Sequence, residues 1–192
     1  MPQKTAQKSI ISRRLMLGLP LLGLGLVGGG FALMLRRMTE GKFDPHALPS
    51  QLIGRRVPDF TLPGLAGAPI TGAELQHPTR PMLVNFFASW CVPCLEEAAT
   101  LATLAGTGLP IWGIAYKDNP GDTRRFLDQN GNPFARIALD QPGRVAIDWG
   151  VYGVPETYLI DGQGIVRWRY AGALTPDVVS GDLRPLLAKA GA

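Results

Sequence analysis

The sequence predicts an α/β domain, a mixed sheet flanked by helices, carried behind an N-terminal transmembrane helix. Three observations point there. From residue 82 onward, apolar runs of strand length alternate with helix-compatible stretches. Near the C-terminus, two strand-like segments flank Asp161-Gly162-Gln163-Gly164, a hairpin turn, so the sheet is expected to be mixed. Residues 15–35 form a run of 21 residues without a charge. At 1.5 Å per residue such a helix spans about 30 Å, the thickness of a bilayer core. The expected partition is residues 1–37 as cytoplasmic N-terminus and anchor, 38–51 as tether, and 52–192 as the folded domain.

The anchor is bracketed by Arg13-Arg14 and Arg36-Arg37, with Lys4 and Lys8 further upstream. This bias favours a cytoplasmic N-terminus and a domain on the far side of the membrane. No small-x-small cleavage site follows the run convincingly, and the run is long for a signal peptide. An uncleaved anchor is therefore expected over a cleaved export signal. A twin-arginine signal at Ser12 to Met16 and a buried core helix are weaker alternatives. Gly23-Leu24-Gly25-Leu26-Val27-Gly28 spells G-x-G-x-x-G, but it lacks the preceding strand that a dinucleotide site needs. The G-x-x-x-G inside the same run is a cheap match where glycine is this frequent.

Charge follows the same division. Residues 1–37 carry six basic and no acidic residues, whereas residues 38–192 carry 13 basic and 15 acidic ones. The net +4 thus belongs to the tail, and the folded part has no basic stripe for nucleic acid. The 46% hydrophobic content is ample for one core, and two cysteines among 192 residues exclude a disulfide-rich scaffold.

Residues 38–56 mix charges with Pro45, Pro49 and Gly54 and show no period, as a tether does. Asp59 to Leu62 suggests a short strand. Met82 to Phe87 is an apolar run expected of a strand buried on both faces. Val92 to about Gly106 is helix-compatible, and Ile111 to Tyr116 is the next strand. Asp122 to Asn130 reads as a helix capped by Asp122 and stopped at Gly131. Ala135 to Leu139 follows as a strand and Gly143 to Trp149 as a short helix. Thr157 to Ile160 and Ile165 to Tyr170 form the hairpin. Thr175 to Ala190 closes the chain as a helix, with Thr175 as cap, Pro176 at the first position and Pro185 as an interruption.

The chemistry lies in Trp90-Cys91-Val92-Pro93-Cys94, which holds both cysteines of the chain. They follow a buried strand and open a helix. The first turn of a helix has unpaired N–H groups and a partial positive charge, which stabilise a thiolate. A spacing of three places the second sulfur one turn along on the same side. The functional reading is dithiol–disulfide exchange, with Cys91 attacking and Cys94 resolving the mixed disulfide. An inert structural disulfide would close a tiny loop with little entropy to remove. A zinc site would need ligands beyond His46 and His77, so no metal and no cofactor are expected.

These residues identify a resemblance. The chain is similar to the thioredoxin superfamily and, within it, to the membrane-anchored cytochrome c biogenesis thiol:disulfide interchange proteins of the DsbE/CcmG type. The similarity covers roughly residues 52–190 and extends to the anchor. It rests on Val57-Pro58-Asp59-Phe60, Asn85 to Cys94, Gly113 to Asp118, Gly131-Asn132-Pro133-Phe134 and above all Trp149-Gly150-Val151-Tyr152-Gly153-Val154-Pro155-Glu156-Thr157. The resemblance implies a thioredoxin-like fold and a cis-proline at Pro155 packed against the disulfide. A proline after Gly-Val at the start of a strand suits such a turn. The Val154 backbone would then pair with an extended client.

Ordinary thioredoxins carry a buried acid where this chain has Asn85, so another group must handle the Cys94 proton. The resemblance sets Glu97, Glu156 and Tyr152 around an acidic groove next to Trp90. Glu97 or Glu156 is expected to accept that proton, with a solvated helix face as the alternative for Glu97. Val92-Pro93 brings no cation between the cysteines and carboxylates raise thiol pKa values, so a reducing couple is expected. The resemblance further implies a site on the periplasmic side of a bacterial inner membrane. Its implied clients are apocytochrome c or haem-ligation proteins, and its implied source of electrons is a membrane thiol carrier. A less specific extracytoplasmic reductase, a non-catalytic anchored assembly subunit and a peroxidase of the same fold are the competing readings.

Overall fold

The computed structural model describes residues 13–39 and 50–190, with side chains in the first segment from 23 to 36. The chain divides into two units, Met1–Pro45 and His46–Ala192. In the first, α1 (Arg13–Thr39) is a helix of 27 residues. Among the described residues no helix is long and apolar enough to cross a membrane. Described side chains in this unit cover only residues 23–35 of the expected 15–35 span, and Lys4, Lys8 and residues 40–49 of the expected tether lie outside the described residues.

The second unit is built on a five-stranded sheet of order β5-β4-β3-β6-β7. Its strands are β3 (Met82–Phe87), β4 (Ile111–Tyr116), β5 (Arg136–Asp140), β6 (Glu156–Ile160) and β7 (Val166–Ala171). β3, β4 and β5 run parallel, while β6 and β7 are antiparallel additions. A small ladder of β1 (Thr61–Leu62) and β2 (Ile70–Thr71) leads into α2 (Gly72–Gln76). The sequence reading had no counterpart for β2 and α2, which are too short to show a period. Residues 63–65 then cover the outer edge of β5, with Leu65 N–H donating to Ile137 O and Leu139 N–H to Pro63 O.

Every residue of β3 is buried, which explains why its sequence reads as an unbroken apolar run. Alternation still sorts the side chains. Leu83 and Phe87 point to the face that also buries Cys91, Cys94, Leu101 and Leu104. Val84 and Phe86 point to the other face, where Phe86, Trp149 and Tyr158 meet edge to face at 5.0–5.8 Å. Asn85 shares the register of Leu83 and Phe87, so the lone polar residue of β3 faces the cysteines.

Three helix boundaries differ from expectation. α4 is Pro120–Asn130, and Asn119 rather than Asp122 is its cap: the Asn119 side chain accepts from Asp122 N–H. Pro120 occupies the first turn, where it has no helical hydrogen bond to lose. α5 is the short Arg144–Asp148. The C-terminal helix starts at Thr175 and Pro176 as expected, but runs as α6 (Pro176–Val178), a π turn over Val179–Leu183, and α7 (Arg184–Ala190). Pro185 cannot donate to a carbonyl one turn back, and the wider turn ahead of it accommodates that missing bond.

Candidate active site

β3 aims the chain at the C-terminal end of the sheet, where Ala88-Ser89-Trp90 turns it into α3 (Val92–Gly106). That turn is fixed by the end of β4. Asp118, nearly buried, accepts from Ser89 N–H at 2.7 Å and from Ser89 Oγ at 2.9 Å. Lys117, at φ 47°, offers its carbonyl to Trp90 Nε1 at 3.4 Å. A left-handed lysine is uncommon, and here it orients the carbonyl that receives the indole.

Cys91 is the N-cap of α3 and its Sγ accepts Cys94 N–H at 3.2 Å. The two sulfurs form a disulfide with an S–S distance of 2.06 Å. Both cysteines are almost wholly buried, whereas Trp90, Val92 and Pro93 beside them are exposed. The sulfurs are therefore reached through a narrow opening rimmed by apolar side chains. Val154-Pro155 is a cis peptide, as expected from the motif. A groove of about 250 Å³ runs between Pro93 and the segment Tyr152 to Glu156, with Val154 and Pro155 in its wall. Tyr152, Val154 and Pro155 thus share a groove with Pro93, between the two cysteines in sequence, and Trp90 and Tyr152 keep most of their surface open to solvent.

The two candidate carboxylates have different surroundings. Along α3, Cys94, Glu97, Leu101 and Leu104 are the buried positions, a 3-4-3 spacing. Glu97 thus sits inside the apolar stripe and is 0% exposed. Its oxygens accept from Asn85 Nδ2 at 2.8 Å and from Leu174 N–H at 2.9 Å. Burial raises its pKa to about 7, against the lowering effect of those two donors. Cys94, Asn85 and Glu97 line one small cavity of about 10 Å³. Asn85 Nδ2 also donates to Thr157 Oγ1 at 3.0 Å, while Asn85 Oδ1 is buried without a partner among the described residues.

Glu156 is equally buried but fully engaged. It accepts from Tyr152 N–H at 2.8 Å, Tyr158 Oη at 3.0 Å and Arg169 Nε at 2.7 Å. The Arg169 guanidinium also lies 5.2 Å from the centre of the Tyr152 ring. This arrangement fixes the loop ahead of the cis-proline, and Glu156 lines the same groove as Pro93. Asp118 and Arg169 escaped the sequence reading. Arg169 faces Tyr158 across the β6–β7 ladder, a pairing readable only once register is known.

Residues 53–169 match the AhpC/TSA family. The chain is 42% identical over 172 residues to the thiol:disulfide interchange protein HelX of Rhodobacter capsulatus, covering 88% of this chain and 94% of that one. It is 38% identical over 178 residues to the thiol:disulfide interchange protein DsbE of Escherichia coli, covering 92% and 96%. Among solved structures, a thio-disulfide isomerase from Thermus thermophilus superposes with a TM-score of 0.59 at 29% identity, over 73% of this chain and 97% of that one. A helix-capping cysteine pair facing a cis-proline, on a mixed five-stranded sheet, and relatives of this similarity agree: the chain belongs to the thioredoxin-like AhpC/TSA family, with the DsbE and HelX thiol:disulfide interchange proteins, and is a thiol:disulfide oxidoreductase.

Proposed function

We propose that the protein is a membrane-anchored reductase on the periplasmic side of a bacterial inner membrane, and that it reduces the cysteine pair of apocytochrome c, or of a haem-ligation partner holding that pair. The observation that carries the reading is the placement of Glu97. A carboxylate with a pKa near 7 lies one helical turn behind Cys94, in the same small cavity. The reduced Cys91 thiolate, stabilised at the start of α3, attacks one sulfur of the client disulfide. The client S–S bond breaks and one client thiolate leaves. Cys94 gives its proton to Glu97 and attacks Cys91 Sγ, and the second client thiolate leaves. Two electrons pass to the client, and Cys91–Cys94 is left as the disulfide seen in the structure.

Glu156 is assigned a positioning role, holding Tyr152 and the cis-proline loop. Exposed Trp90 and Tyr152, with Val154, form the client-binding rim. A membrane thiol carrier returns the electrons. The uncharged run 15–35 and its arginine flanks support the anchor. Reduction makes chemical sense where the compartment oxidises thiols.

A Cys94→Ser variant stops the reaction at the mixed disulfide on Cys91. Mass spectrometry of that adduct is expected to return apocytochrome c or a haem-ligation protein. A broad range of unrelated clients would instead establish the less specific reductase. A Cys91→Ser, Cys94→Ser protein that still supports cytochrome c maturation would establish the assembly subunit.

A further inference from the structure

The end of the sheet opposite the cysteines carries a charge pattern that the redox chemistry does not use. β6 runs antiparallel to β3, with Met82 beside Ile160 and Phe86 beside Glu156. The 161–164 turn therefore lies at the start of β3, one strand length away from Cys91. A six-residue strand is about 20 Å long. At this far pole Arg80 precedes β3, Lys189 ends α7, and both line one open basin of about 710 Å³ with Arg167. Arg55 and Arg56 join the same pole, because Val166 N–H donates to Arg55 O and Arg56 bridges Ile165. All five cations are exposed.

Two acids lie among these cations, and one of them is neutralised. Asp161 is buried, accepts from Gln163 N–H and Ile165 N–H, and pairs with Arg167. Asp59, exposed on the neighbouring segment, is held by Gln76 Nε2 at 2.7 Å. Among the described residues, Arg55, Arg80 and Lys189 make no ion pair. A domain whose charge is slightly negative as a whole thus concentrates cations on one pole, and the pole is the one at which the chain enters from the tether.

We propose that this basic pole docks on anionic phospholipid headgroups of the bilayer that holds the anchor, which turns the cysteine end toward the aqueous side. The proposal rests on the anchored reading above. Each Lys or Arg near an anionic surface strengthens attachment roughly fivefold at physiological salt, and the attraction is lost within a Debye length of the surface. Arg167 is neutralised by Asp161, and the remaining four cations, Arg55, Arg56, Arg80 and Lys189, bias orientation. The client-binding rim, Trp90 and Tyr152, then faces away from the membrane.

The test uses the full chain in nanodiscs of phosphatidylcholine, with or without about a quarter phosphatidylglycerol. A dye is placed at the basin through Gln163→Cys, or at the cysteine end through Ile147→Cys, with Cys91–Cys94 kept oxidised. A nitroxide-headgroup lipid reads contact. Quenching at position 163 is expected only with phosphatidylglycerol, is expected to vanish in about 0.5 M salt, and is expected to be absent at position 147. Arg80→Glu with Lys189→Glu should weaken it by at least about 25-fold, two cations at roughly fivefold each. Equal quenching in both lipids, or no loss in the double variant, overturns the proposal. Loss of quenching on adding inorganic phosphate at constant ionic strength also overturns it, as a free-anion site. Retention in phosphatidylcholine discs at high salt reads the anchor separately. If the anchor fails there, the same lipid comparison with added vesicles still decides the pole.

Discussion

Glu97 is the buried carboxylate on which the proposed proton path depends. Its position was legible as a residue three after Cys94, but the alternative of a solvated helix face was equally compatible with the local sequence. Only the stripe Cys94, Glu97, Leu101, Leu104 decides between them, and that stripe becomes visible once the helix has a sheet to face. The carboxyl is raised from 4.5 to about 7 in the fold. Between these values the folded protein binds more protons than the unfolded chain, so stability falls as pH rises through this window and levels off above it. The expected loss is about 3 kcal/mol from pH 4 to 8. Urea unfolding of the disulfide form should show this slope, and Glu97→Gln should flatten it. The same variant should slow client release at pH 7 without preventing disulfide formation; unchanged turnover would remove Glu97 from the proton path. Arg169 makes a second residue-level prediction. Arg169→Met leaves Glu156 buried without its cation and is expected to cost about 3–5 kcal/mol, whereas Arg169→Lys should recover part of it. Equal midpoints for the two variants would show that the ion pair is not what holds the cis-proline loop.

At the level of elements, the long apolar strands and α3 were legible because burial on both faces of β3 and β4 erases polar residues from them. α3 begins at Val92 and ends at Gly106 as read from the sequence. What was not legible was local competition between neighbouring caps. Asn119 and Asp122 are both good cap residues, and the preference for Asn119 follows from Pro120, which suits a first helical turn. Asn119→Ala should therefore destabilise by about 1 kcal/mol, read as a shift of the urea midpoint at constant slope. Asp122→Ala removes an exposed ion pair to Arg125 and should cost less, since surface pairs contribute at most about 1 kcal/mol. The two-residue β1 and β2 lay below the length at which periodicity can speak. The π turn ahead of Pro185 was anticipated as an interruption, though not in form.

Across the whole molecule, one sheet separates two apolar layers and brings a cysteine pair, a cis-proline and a buried carboxylate to the same end. The sequence held all of these as short motifs far apart in the chain, and topology joins them. The charge difference between the two ends was invisible, because net charge averages over them. No cation stands between the cysteines to stabilise the thiolate of the reduced pair. The Cys91–Cys94 couple is therefore expected to lie nearer about −270 mV than about −120 mV on the scale of thioredoxin-like proteins. Equilibration against glutathione or a thioredoxin couple measures it.

The most direct measurement is the pH dependence of alkylation of the reduced protein, followed separately at each cysteine. Cys91 is expected to react first, titrating below the roughly 8.5 of a free thiol, while Cys94 stays protected. Two thiols that react equally slowly, each titrating at or above about 8.5, would contradict a thiolate held at the start of α3.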